Sequence, residues 1–151
     1  MERNRPTLHV LDSTDSVYLN RTARGHIKGP TDIVSYVRQI ARKAKREIFV
    51  AFYLDTRHKV RRAHVISIGS LSASIVHPRE VFRPAVIHSA ASLIVAHNHP
   101  SGEPEPSDDD IEITNRLADA GELLGIPLVD HVIVAGWRHI SLREKNLIRT
   151  L

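Results

Sequence analysis

The chain has no cysteine. That excludes a disulfide framework, a thiolate-held zinc ribbon or iron–sulfur cluster, and a cysteine nucleophile, and it is compatible with a reducing compartment. Aromatic residues make up 5% of the sequence, with a single tryptophan, and none is interleaved with the basic clusters as a base-stacking platform would require. No uninterrupted apolar run approaches the ~20 residues that span a bilayer. The amino terminus, MERNRPTLHV, is basic but lacks the apolar stretch of a secretory leader behind it. The expectation is a soluble, cytoplasmic protein without a membrane partner. Its 151 residues suffice for one domain with its own core, and neither internal repeats nor low-complexity linkers divide it.

Charge is unevenly placed. Residues 1–62 hold 14 Lys or Arg against 6 Asp or Glu, and residues 63–151 hold 7 against 11, so the front half carries +8 and the back half −4. Arg42, Lys43, Lys45 and Arg46, followed by Arg57, Lys59, Arg61 and Arg62, make nucleic acid or an acidic protein surface a partner to consider. A solvated helix face and an ordinary hairpin are the plainer reading of the same residues.

Periodicity lays out the elements. Residues 1–28 alternate weakly and read as an N-terminal arm or edge strand, leaving residues 29–151 as the principal domain. Ile33, Val34, Val37, Ile40, Ala41 and Ala44 recur at helical spacing, which predicts a helix from near Thr31 to Arg46. EIFVAFYLD and KVRRAHVISIGS, joined through Asp55, Thr56, Arg57 and His58, predict a hairpin. Pro78 opens a second helix that contains Pro84, SLIVAH reads as a buried strand, and a third helix fits Ser107 to Leu124 before Gly125 and Pro127. LVDHVIVAG and HISL close the pattern as a hairpin around Gly136, with LREKNLI as a last helical turn or two. The sum is an α/β sandwich around a mixed sheet.

The chemistry concentrates between Ala96 and Ile111, where the chain reads HNHPSGEPEPSDDD. Side chains two apart on a strand share a face, so His97 and His99 can converge on one ion. Pro100 ends the strand, and a stiff turn delivers Asp110 to a helix start, within reach as a third ligand. Two imidazoles and a carboxylate leave one corner of a tetrahedral zinc site for water, the pattern of a catalytic site; such an ion brings the pKa of its water toward ~7 and polarises carbonyls. Amide hydrolysis would also need a carboxylate as general base. A plainer reading stands beside it: Ser107 and Asp110 have the spacing of a helix capping box, and first-turn acids suit the helix dipole. His131, in an apolar run beside Asp130, reads as a hydrogen-bonded structural histidine held by Asp130 or a backbone carbonyl, not as a ligand. Asn98 points off the histidine face, Asp108 and Asp109 face solvent, and Trp137, at a hairpin tip, is expected to be a partly packed turn residue, with a partner-binding anchor as the rival reading.

H-x-H-P followed by S-x-x-D seven residues beyond the proline resembles the JAMM motif of MPN-type metalloproteases, and the whole block resembles the version found in the RadC family. EIFVAFYLDTRHKV, Gly69, HPREVFRPAV and DHVIVAG with Ser141 agree with it over about residues 30–145. The resemblance implies the three-layer MPN α/β fold, related to the cytidine-deaminase fold, and one Zn²⁺ per chain serving peptidase or isopeptidase chemistry on an unidentified peptide or isopeptide-linked protein. By the same resemblance His97, His99 and Asp110 match the zinc ligands and Ser107 the hydroxyl that steadies the oxyanion. For the general base, which the family places at an early strand start, it leaves Glu47 and Glu80; Glu47 is preferred, because Glu80 suits a first-turn acid near a helix dipole. One departure is that RadC proteins usually carry a helical, DNA-binding-like region ahead of this domain, and residues 1–28 do not read as one.

Two rival readings accompany the hydrolase. One is a non-catalytic DNA- or protein-binding RadC-type module associated with DNA repair. The other is a metal-dependent phosphodiesterase; such sites commonly hold two ions, and ligands for only one are visible.

Overall fold

The computed structural model describes residues 8–10, 17–19, 26–41 and 44–149. Within the expected arm, β1 (Leu8–Val10) and β2 (Val17–Leu19) pair antiparallel as a small sheet of their own; the rest of that arm, and Arg42 and Lys43 of the basic cluster, lie outside the described residues. Next come α1 (Pro30–Ala41), β3 (Ile48–Leu54), β4 (Val60–Ile68), α2 (Pro78–Ile87), β5 (Ser92–Asn98), α3 (Asp108–Leu124), β6 (Leu128–Ala135) and β7 (Arg138–Ser141).

The main sheet has the order β4-β3-β5-β6-β7. Only β5 and β6 run parallel, which their connection through α3 requires, since parallel neighbours need a crossover. Alternation along each strand feeds two cores. On one face Val50, Phe52, Leu54, Ile94, Ala96, Val132 and Val134 pack with Ile33, Val34, Tyr36 and Val37 of α1. On the other, Phe49, Ala51, Tyr53, Leu93 and Val95 meet Val81 and Phe82 of α2 and Ile113 and Leu117 of α3. The result is a helix–sheet–helix sandwich of the expected MPN type, and all of β5, at its centre, is buried.

Two expectations need correction. The first helix ends at Ala41, not Arg46; Lys45 and Arg46 form a bend. Alanine, lysine and arginine would extend a helix by propensity, but the carbonyls of Arg46 and Glu47 are taken by Asn98 Nδ2 at 3.0 Å and the Gly69 amide at 2.8 Å, and tertiary bonding prevails. LREKNLI forms turns instead of a helix, because Asn146 adopts a positive φ of 56° and the Leu147 amide closes back on Leu142. Elsewhere α2 continues through Pro84, and α3 stops at Gly125, whose φ of 69° suits a residue without Cβ.

The buried face of α3 follows helical spacing through Asp110, Ile113, Thr114, Leu117 and Gly121. Burying Ile113 and Leu117 contributes about 1.5–3 kcal/mol each, against ~1 for an N-cap. Core packing therefore holds the start of α3 beside the end of β5.

Candidate metal centre

β5 delivers His97 on its α3 side as its penultimate residue, and His99 follows just beyond the strand, its amide donating to the Val134 carbonyl at 2.8 Å. The imidazole Nε2 atoms of His97 and His99 lie 2.9 Å apart. The Asp110 carboxylate spans both: Oδ1 is 3.2 Å from His97 Nε2 and Oδ2 is 3.2 Å from His99 Nε2. Glu47 approaches from the bend before β3, with Oε1 3.8 Å from His99 Nε2. Glu47, His97 and His99 offer ligand atoms all within 4.8 Å of one another, so a group able to hold a metal ion is present. The structure thus gathers His97, His99, Asp110 and Glu47, which are 63 residues apart at the extremes, at one end of the central strand.

Local structure fixes each member. His99 Nδ1 faces the Glu103 carbonyl at 2.7 Å, and since a carbonyl only accepts, Nδ1 donates and Nε2 of the neutral ring keeps its lone pair. Arg138 steadies that carbonyl's loop by donating to the Gly102 carbonyl at 2.7 Å. Glu47 receives the Leu71 amide on Oε2 at 3.1 Å, leaving Oε1 toward the histidines. Ser107 and Asp110 do form the capping box: Asp110 N–H donates to Ser107 Oγ at 3.1 Å, and Ser107 N–H donates to Asp110 Oδ2 at 2.9 Å. The Ser107 hydroxyl accepts in this bond, so its own proton is left to donate.

Burial alone would push the Asp110 carboxyl up, but the hydrogen bonds that the His97 and His99 rings donate when doubly protonated, the charge of a protonated His97 and the Ser107 amide hold it well below the usual carboxylate range. The Asp110 hydrogen bond raises His99, against the opposing pull of burial. His131 is wholly enclosed and burial pushes it well down, so its ring is neutral. Acceptor-rich groups converging with their protons turned outward suit a divalent cation, and nitrogen with carboxylate oxygen is a donor set zinc accepts.

The remaining expected residues fall as follows. Glu80 is exposed in the first turn of α2 against Arg79, at 3.4 Å, away from the cluster. Asp108 and Asp109 are exposed. Trp137, expected to be partly packed, is 84% exposed, because the tight turn between β6 and β7 lifts it off the sheet. Asn98 leaves the histidine face as expected, but it engages the backbone on either side of Glu47. His131 has its ring held by neither Asp130 nor a backbone carbonyl: Asp130 takes its main-chain amide at 2.7 Å, while its ring lies between Thr114 Oγ1, at 2.6 Å, and His97 Nδ1, at 2.8 Å. Thr114 was not foreseen, although its place one helical turn after Asp110 was a visible signal.

An open groove of about 460 Å³, lined by Lys45, Arg46, Glu47, Gly69, Ser70, His99, Pro100 and Ser101, leads to the cluster. Residues 27–147 match the family described as the RadC-like JAB domain. The chain belongs to the RadC-like JAB family. This JAB domain is similar to proteins named UPF0758 in several organisms: it is 46% identical over 123 residues to that of Methanosarcina acetivorans (82% of this chain, 54% of the relative), 48% over 130 residues to that of Geobacillus sp. strain WCH70 (86% and 58%), and 52% over 120 residues to that of Halalkalibacterium halodurans (80% and 52%). The chain spans about half the length of these curated relatives. Among the described residues no helix is long and apolar enough to cross a membrane.

Proposed function

We propose that this JAB domain is a metal-dependent hydrolase of peptide or isopeptide bonds, with one zinc ion held by His97, His99 and Asp110. The observation that carries the reading is the Asp110 carboxylate, 2% exposed and 3.2 Å from both imidazole Nε2 atoms. Glu47 is the competing third ligand, but it lies farther out, at 3.8 Å from His99, and is 28% exposed, which suits a group that exchanges protons with water and substrate. A zinc ion bound there supplies a Lewis acid and a more acidic water. Glu47 Oε1 takes the proton of the attacking water and passes it to the leaving nitrogen. The Ser107 hydroxyl donates to the carbonyl oxygen as it becomes negative. Lys45 and Arg46 at the groove mouth favour substrate with acidic residues near the scissile bond.

The test begins with metal analysis of untagged protein and proceeds to turnover of a peptide and isopeptide panel by wild type, Glu47→Gln and Glu80→Gln. Glu47→Gln should keep zinc and lose turnover, whereas Glu80→Gln should behave as wild type. Zinc binding that survives His97→Ala and His99→Ala would sink the assignment. Steeply salt-dependent DNA binding, unaltered in those two variants, would favour the binding-module reading instead.

A further inference from the structure

We infer that Thr114 and His131 are positioning residues that set the tautomer of His97, so that its Nε2 meets the metal position without a proton. The inference rests on the reading of His97 as a ligand, and the proton count carries it.

The Thr114 hydroxyl has one proton and two close neighbours. It lies 2.6 Å from the carbonyl oxygen of Asp110, one turn earlier on α3, and 2.6 Å from His131 Nδ1. A carbonyl can only accept, so the proton goes there, and Thr114 Oγ1 must accept from His131 Nδ1–H. The His131 ring is fully buried and, among the described residues, no acid side chain is bonded to either of its nitrogens. A neutral ring protonated at Nδ1 has a lone pair at Nε2, and that atom is 2.8 Å from His97 Nδ1. His97 therefore donates from Nδ1, and its Nε2, 2.9 Å from His99 Nε2 and 3.2 Å from Asp110 Oδ1, is the bare nitrogen. Were the Thr114 proton turned to His131, every link would reverse, a lone pair would face the Asp110 carbonyl, and His97 would aim an N–H into the site.

Packing keeps the chain of rings in line. Phe49 stacks on His97 with centroids 5.9 Å apart and an interplanar angle of 21°, and meets His131 edge-on at 5.6 Å and 74°. The relay also ties the two halves of the site together. Asp110 presents its carboxylate to the metal position and its carbonyl to the hydroxyl that orients His97.

Long-range ¹H–¹⁵N correlation spectra of the imidazoles in the metal-free chain, recorded near pH 8, test the inference without any turnover assay. Wild type should show His97 and His131 both protonated at Nδ1. Thr114→Val, of similar shape but without the hydroxyl, should lose that single-tautomer pattern and bind zinc about ten- to a hundredfold more weakly in competition with a chromophoric chelator, and Thr114→Ser should restore both. His97 protonated at Nε2 in wild type, or wild-type zinc affinity in Thr114→Val, would overturn it. If wild type shows the expected tautomers yet binds no zinc, the relay stands and the hydrolase reading falls.

Discussion

Asn98 straddles Glu47. Its side-chain Oδ1 accepts the Ile48 amide at 2.7 Å and its Nδ2 donates to the Arg46 carbonyl at 3.0 Å, so one carboxamide from β5 holds the backbone on both sides of the proposed base. Asn98 lies between His97 and His99 but points to the opposite face, so the strand that aims the histidines also places the acid.

Asn98→Ala should therefore separate placement of Glu47 from metal binding. Loss of both hydrogen bonds at a buried position is expected to cost about 1–3 kcal/mol in denaturant unfolding, and turnover should fall while zinc affinity stays close to wild type. Full turnover in a folded Asn98→Ala protein would show that the bracket is dispensable.

Ser107 serves as a cap and, in the proposed chemistry, as a donor. Glycine is a tolerated N-cap residue costing only a few tenths of a kcal/mol, but it has no hydroxyl. Ser107→Gly should leave stability nearly unchanged and lower kcat by about 10²–10³. A variant with wild-type kcat would leave Ser107 as a cap alone.

Gly121 lies where α3 crosses the following loop. A Cβ there would sit 2.5 Å from the Ile126 carbonyl oxygen and 3.3 Å from the Phe82 ring. Replacing glycine by alanine within a helix ordinarily gains up to about 1 kcal/mol; here backbone overlap should reverse the sign, with a net loss on the order of 1–3 kcal/mol. Urea midpoints of the two proteins decide it, and a stabilised Gly121→Ala would mean that the loop yields freely.

Asp55 predicts a pH dependence in the β3–β4 turn. The Lys59 amide above all, helped by the Arg57 amide and the Arg61 guanidinium, holds its carboxyl below the usual range. An acid whose folded pKa lies below its unfolded value of about 4 stabilises the fold above that pH, and the contribution disappears as pH falls through the folded pKa. Wild type should thus exceed Asp55→Asn in urea midpoint at neutral pH, and the gap should close below about pH 4. A gap that persists unchanged into strong acid would rule out this origin.

Most of the architecture was legible because it depends on local rules. The unbroken apolar runs of EIFVAFYL and SLIVAH announced strands, SLIVAH a buried one, and Gly125 and Pro127 announced the end of α3. The failures differ in cause. Lys45 and Arg46 belong to a helix by propensity and to a bend by tertiary bonding to Asn98 and Gly69, which no window of adjacent residues contains, whereas LREKNLI turned on a local choice, the left-handed Asn146 and the closure of Leu147 on Leu142, that helical spacing does not reveal.

The same division runs through the site. The order of residues from His97 to Asp110 determined by itself that two imidazoles and a carboxylate would lie near one strand end, because strand period, proline and helix start are set within that short stretch. Only the tertiary structure decided that Glu47 faces them, that Glu80 does not, and that Thr114 and His131 stand behind His97. Those relationships depend on which strands pair and on how α3 packs across the sheet, and that is governed by burial of side chains far apart in the chain.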